Sequence, residues 1–120
     1  MRKIIILLTI LLAGMVGNAN AQGVRFWKGS FEEAAQEAKR QDKLIFIDFY
    51  TVWCGPCKSM SNRVFPHEDV GEYFNETFIC CKLDAEREGK ELAKKYGVSS
   101  YPTLLFIKAN GEVMSKTSGV

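Results

Sequence analysis

The 120-residue sequence predicts one α/β domain, a central mixed β-sheet flanked by helices on both faces. Three observations carry that expectation. Residues 44–50 and 78–83 are apolar at almost every position, as strands covered on both faces are. The segments around them have helical spacing, which is the pattern of βαβ crossovers. Residues 103–107 and 112–116 are strand candidates joined across Asn110-Gly111, a pair that favours a hairpin and so adds antiparallel strands.

Ahead of the domain, Arg2 and Lys3 precede an apolar run from Ile4 to Val16 and a small-residue site, Ala19-Asn20-Ala21. That order is the order of a secretory signal peptide. The run falls short of the ~20 residues that a membrane span needs. We therefore expect residues 1–21 to be a signal peptide and residues 22–120 to be the domain, with an uncleaved N-terminal anchor as the alternative. No cysteine lies near the cleavage point, so lipid attachment is not expected there. The chain carries 16 basic and 14 acidic residues, and both basic residues of the leader leave with it, so the mature counts are equal. The basic excess thus belongs to targeting and gives no support to a nucleic-acid partner. Export implies a compartment where disulfides persist, the periplasm in a bacterium.

After the leader, residues 24–27 are β-prone. Ser30 and Glu33 form a capping box, and Phe31, Ala34, Ala35 and Ala38 recur on one helical face. The strand at 44–50 follows, interrupted by one carboxylate, Asp48. A helix then runs from the Cys54-Gly55-Pro56-Cys57 segment to about Phe65, where Pro66 ends it. Val70, Tyr73 and Phe74 give the next short helix its apolar stripe. Beyond the strand at 78–83, Leu92, Ala93 and Tyr96 mark a helix closed by Gly97.

A Cys-x-x-Cys where a buried strand turns into a helix has a chemical purpose. The first thiol lies at the helix N-terminus, where unpaired N–H groups and the helix dipole stabilise a thiolate. Such placement lowers a cysteine pKa from about 8.5 towards about 7. Cys54 is therefore the expected nucleophile. Cys57, three residues on, is the expected resolving thiol that releases a mixed disulfide. Gly55 and Pro56 permit the tight turn, Pro56 because its missing N–H costs nothing in a first helical turn.

The segment from Asp48 through Trp53-Cys54-Gly55-Pro56-Cys57-Lys58 resembles the active-site segment of thioredoxins. Tyr101-Pro102-Thr103 resembles that family's cis-proline segment, and Lys82 and Asn110-Gly111-Glu112 fall at matching places. The likeness runs from about Leu44 to Gly119. Residues 65–74 look more like the thioredoxin-like domains of exported bacterial disulfide reductases. The resemblance implies a thioredoxin fold and a thiol–disulfide oxidoreductase that reduces protein disulfides outside the cytoplasm. It needs no cofactor beyond the redox-active cysteines, and an upstream, membrane-embedded donor would keep it reduced. A disulfide oxidase or isomerase is the alternative within the class, and a non-catalytic peptide-binding module the alternative outside it.

By the same resemblance, Asp48 would relay the proton of Cys57. A lone carboxylate in an apolar strand should also have a raised pKa through desolvation, which suits that role. Lys82 would be its electrostatic partner, the alternative being a structural ion pair. Pro102, if cis, would face the cysteines and leave the Tyr101 backbone free to hold an extended substrate strand; an ordinary trans edge proline is the alternative. Trp53 would shield the site and touch substrate, or else pack in the core. Thioredoxins usually continue with one more helix, which this sequence lacks after Gly119-Val120. A longer parent chain, a partner over that face or an abbreviated domain would each account for it.

Cys80 and Cys81 are adjacent in a strand, so their side chains should point to opposite faces and fill space there; a secondary redox role is the alternative. A structural zinc site wants four ligands at recognisable spacing, and His67 is a poor companion for the Cys-x-x-Cys, so no metal is expected. Asn75-Glu76-Thr77 matches a glycosylation sequon.

Overall fold

A computed structural model describes residues 23–119; the leader expected over residues 1–21 lies outside them. Helix α1, Phe31–Gln41, begins at the capping box, with Ser30 accepting from Glu33 N and the Glu33 carboxylate accepting from Ser30 N. It leads into strand β1, Leu44–Tyr50. Helix α2, Gly55–Ser59, continues directly into a π-helical turn, Met60–Val64. Helix α3 spans Glu68–Thr77, strand β2 Phe78–Asp84, helix α4 Lys90–Lys95, and strands β3 and β4 Thr103–Ile107 and Val113–Ser118.

The sheet order is β2-β1-β3-β4. β1 runs parallel to β2 and antiparallel to β3, and β3 is antiparallel to β4. The mixed sheet expected from the sequence is therefore present. The β-prone segment at 24–27 contributes only a bridge, Phe26 parallel to Cys80. The last strand is shifted towards the C-terminus relative to the expected 112–116, because Asn110 and Glu112 are used in the turn: Asn110 Oδ1 accepts from Glu112 N at 3.0 Å.

Alternation along the central strands builds two cores. On one face, Ile45, Ile47 and Phe49 of β1 meet Ile79 and Cys81 of β2, Leu105 and Ile107 of β3, and Ala34, Ala38 and Ala93 of helices α1 and α4. On the other, Phe46, Phe78 and Cys80 pack with Met60 of the π-turn, Phe65 just after it and Phe74 of α3. Phe46 is the hub there, its ring 5.0 Å from that of Phe74 and 5.1 Å from that of Phe106, centroid to centroid. Cys80 and Cys81 thus lie on opposite faces, and burial pushes each thiol up to about 12. Both remain neutral near pH 7, inert as nucleophiles.

The N-terminal segment is strapped across α3. Asn75 donates through Nδ2 to Gly23 O at 2.9 Å and accepts at Oδ1 from Arg25 N at 2.8 Å. Gly71 makes this possible, since a Cβ there would lie 2.2 Å from the Gly23 backbone. The sequon asparagine is therefore spent on internal hydrogen bonds. Among the described residues, no helix is long and apolar enough to cross a membrane.

Candidate active site

β1 delivers the chain to the site. Its last residues are followed by Thr51, Val52 and Trp53, and Cys54 then caps α2 with extended backbone angles. The Cys54 sulfur accepts a hydrogen bond from Cys57 N at 3.1 Å. The placement expected for the nucleophile is thus realised: a sulfur at the start of a helix, taking one of its free N–H groups. Cys54 and Cys57 are joined by a disulfide, with Cα atoms 5.3 Å apart. Exposure does not separate the two cysteines, each being 3% exposed. What separates them is position: Cys54 caps the helix and its sulfur accepts the N–H, whereas Cys57 lies inside the first turn. Gly55 and Pro56 are the first two residues of α2, exposed beside the disulfide.

The loop before β3 forms the opposite wall. The Tyr101–Pro102 peptide is cis, and Pro102 is fully buried. The Phe49–Thr103 register sets this loop beside the end of β1. Trp53 closes the gap, its indole edge-on to the Tyr101 ring at 5.9 Å. It is 62% exposed, so it is a rim residue rather than part of the core. Its Nε1 donates to Glu86 Oε1 at 3.0 Å.

Asp48 lies on the face of the sheet that α2 and the π-turn cover. It is 1% exposed, and its Oδ1 has no hydrogen-bond partner. Burial pushes the carboxyl up to about 6, against the opposing pull of the Lys82 charge. Among the described residues, Thr51 Oγ1 is the other buried polar side-chain atom left without a partner. A hollow of about 230 Å³ beside the disulfide is lined by Thr51, Cys57, Lys58, Ser61 and Lys82 among others.

Lys82 is the register neighbour of Asp48 across β1 and β2. Its charge pulls on the Asp48 carboxyl, as expected of an electrostatic partner, but the alternative of a structural ion pair is not realised: the ion pairs among the described residues do not include the two. The Lys82 ammonium instead donates to Ser61 Oγ at 2.5 Å and lies over the rings of Tyr50 and Phe26, 5.2 and 5.8 Å from their centroids. Its influence on Asp48 acts through space.

Ser61, Thr51 and Glu86 were not legible as site residues. Glu86 reaches the site through a contact between segments far apart in sequence, whereas Thr51 and Ser61 lie close to the cysteines in the chain but carry no motif that marks them. The one usable signal was spacing: Ser61 lies four residues after Cys57, so a helix places it on the same side as the resolving cysteine.

Chemically, the arrangement holds two cysteines that can interconvert between dithiol and disulfide, and the strand that leads to them carries a buried carboxyl pushed up to about 6. The rim is aromatic. Comparison with known proteins agrees with this reading. The thioredoxin family model matches residues 24–120. A thioredoxin from Echinococcus granulosus is 40% identical over 81 residues, 68% of this chain and 71% of that one. A solution structure from Bacteroides thetaiotaomicron, described as a "putative disulphide-isomerase", superposes with a TM-score of 0.73 at 50% identity over 85% of each chain. Spinach chloroplast thioredoxin f superposes with a TM-score of 0.61 at 31% identity over 82% of each chain.

Proposed function

This chain belongs to the thioredoxin family of thiol–disulfide oxidoreductases, and from that premise we propose that it reduces protein disulfides outside the cytoplasm. The observation that carries the reading is the Cys54–Cys57 pair at a helix start, with Cys57 N–H on the Cys54 sulfur. In the reduced state the Cys54 thiolate attacks a substrate disulfide, forming a mixed disulfide and expelling one substrate thiolate. Cys57 then loses its proton and attacks Cys54, which releases the second thiolate and leaves the Cys54–Cys57 bond. Two electrons pass to the substrate in each cycle.

Asp48 is the proposed acceptor for the Cys57 proton, by way of water entering from the hollow that Cys57 and Lys82 line, because burial pushes its carboxyl up to about 6. The cis-Pro102 loop and Trp53 form the proposed docking rim, where the Tyr101 backbone meets an extended substrate strand. No cofactor enters these steps. The leader at residues 1–21 supports export, and in an oxidising compartment an upstream donor, embedded in the membrane, must re-reduce the pair. Gly-Pro between the cysteines favours a reducing potential like that of thioredoxin, about −270 mV.

Isomerase activity is the second reading, favoured by the name given to the Bacteroides thetaiotaomicron protein. Refolding of a scrambled disulfide substrate, run beside insulin reduction, separates the two. Insulin reduction should be lost in Cys54→Ser; retention would refute the catalytic assignment. Cys57→Ser should accumulate mixed disulfides with substrate proteins, since the releasing attack is gone. Absence of adducts would count equally against the resolving role.

A further inference from the structure

Resting on the reductase reading above, we propose that Ser61 is a positioning residue for the proton step. Its hydroxyl holds the Lys82 ammonium away from Asp48, leaving that carboxyl free to exchange a proton instead of locking it into an ion pair.

Register alone would predict the opposite. Asp48 and Lys82 are direct partners on adjacent parallel strands, about 4.8 Å apart in backbone, and their side chains share the face that carries Phe46, Phe78 and Cys80. A lysine stem of four carbons easily spans that gap. Yet the only hydrogen bond of the Lys82 ammonium among the described residues goes to Ser61 Oγ, and the Tyr50 and Phe26 rings flank it. Ser61 sits inside the π-turn, which the Phe65 N to Met60 O bond closes at 2.9 Å. Such turns are frequent at functional sites.

The position of that one charge matters because little else charged faces Asp48. From β2 comes Lys82 and from its own strand the Tyr50 phenol; Cys57 of α2 lines the same hollow as Lys82 and Tyr50. β3 places Leu104 opposite, and the π-turn contributes the neutral Met60 and Ser61. Lys58 lies on the exposed side of α2, at the mouth of the hollow. An opposite charge brought within about 4–6 Å of a carboxyl lowers its pKa by about 1–3. Release of Lys82 from Ser61 therefore has one predicted direction.

The test follows the ¹³Cγ signal of Asp48 by NMR against pH in the disulfide-bonded protein. The wild-type midpoint should lie near 6. Ser61→Ala should lower it by about one pH unit, and Ser61→Thr, which keeps the hydroxyl, should restore it. In a Lys82→Gln background, Ser61→Ala should add nothing. An unchanged or raised midpoint in Ser61→Ala overturns the proposal, as does the same fall without Lys82. In the reduced enzyme, the acid limb of insulin reduction should move with the midpoint. A shifted midpoint in a protein that does not reduce insulin would refute the reductase reading and leave the Ser61 assignment standing.

Discussion

Replacing Asp48 by Asn should make the protein more stable and less active, with the stability gain growing as pH rises. Burial raises the Asp48 carboxyl from an ordinary 3.8 to about 6. A group whose pKa is raised in the folded state binds more protons folded than unfolded between those values. Stability must then fall as pH rises through that window. A shift of about two pH units corresponds to about 3 kcal/mol at 1.36 kcal/mol per unit. Asn carries the same shape without the charge, so the difference between variant and wild type isolates the ionisation. Urea unfolding of both disulfide-bonded proteins, from pH 4 to pH 8, reads it directly. The two midpoints should nearly coincide at pH 4, and the Asn variant should be more stable by about 3 kcal/mol at pH 8. With slopes of about 1–3 kcal/mol per molar, that is a midpoint increase of about 1 M or more. Release of mixed disulfides should meanwhile slow by about a hundredfold, the low end of general-base catalysis. A stability difference that does not change with pH would refute the reasoning, because the carboxyl would then not be desolvated in the native state.

Two other side chains can be tested alongside it. Asn75→Ala removes both hydrogen bonds of the N-terminal strap and should cost about 1–2 kcal/mol in urea unfolding; it should also speed tryptic cleavage after Arg25, and unaltered cleavage would show that Asn75 does not hold the strap. Glu86→Ala frees the Trp53 indole and should leave stability within about 0.5 kcal/mol of wild type, as surface changes do. Its effect should appear in a lower Trp53 fluorescence anisotropy and a raised KM for protein disulfides with kcat little changed.

Much of the site was legible because it is written in contiguous residues. The apolar run of β1 broken at Asp48 and the Cys54–Cys57 spacing each announce their part locally, whereas the Tyr101-Pro102-Thr103 segment was legible only through its resemblance to thioredoxins, and the fold decided that its peptide is cis. Trp53 left two readings open, rim or core, and only its 62% exposure in the fold decided between them. The π-turn carried no signal at all: Met60-Ser61-Asn62-Arg63-Val64 contains no Gly or Pro to mark a departure from the α-helix. Thr51 and Glu86 likewise look like ordinary loop residues until packing brings them beside the disulfide and Trp53.

The sequence by itself determined what backbone geometry dictates over a few residues. Side chains alternate along a strand, so Cys80 and Cys81 had to part to opposite cores. A helix opening at Cys54 had to place free N–H groups near its sulfur. Only the tertiary structure decided where the Lys82 charge goes. Its stem can satisfy either Asp48 beside it or Ser61 above it, and local geometry does not choose between them. The choice follows from the π-turn that sets Ser61 over β2 and from the Tyr50 and Phe26 rings that flank the ammonium there.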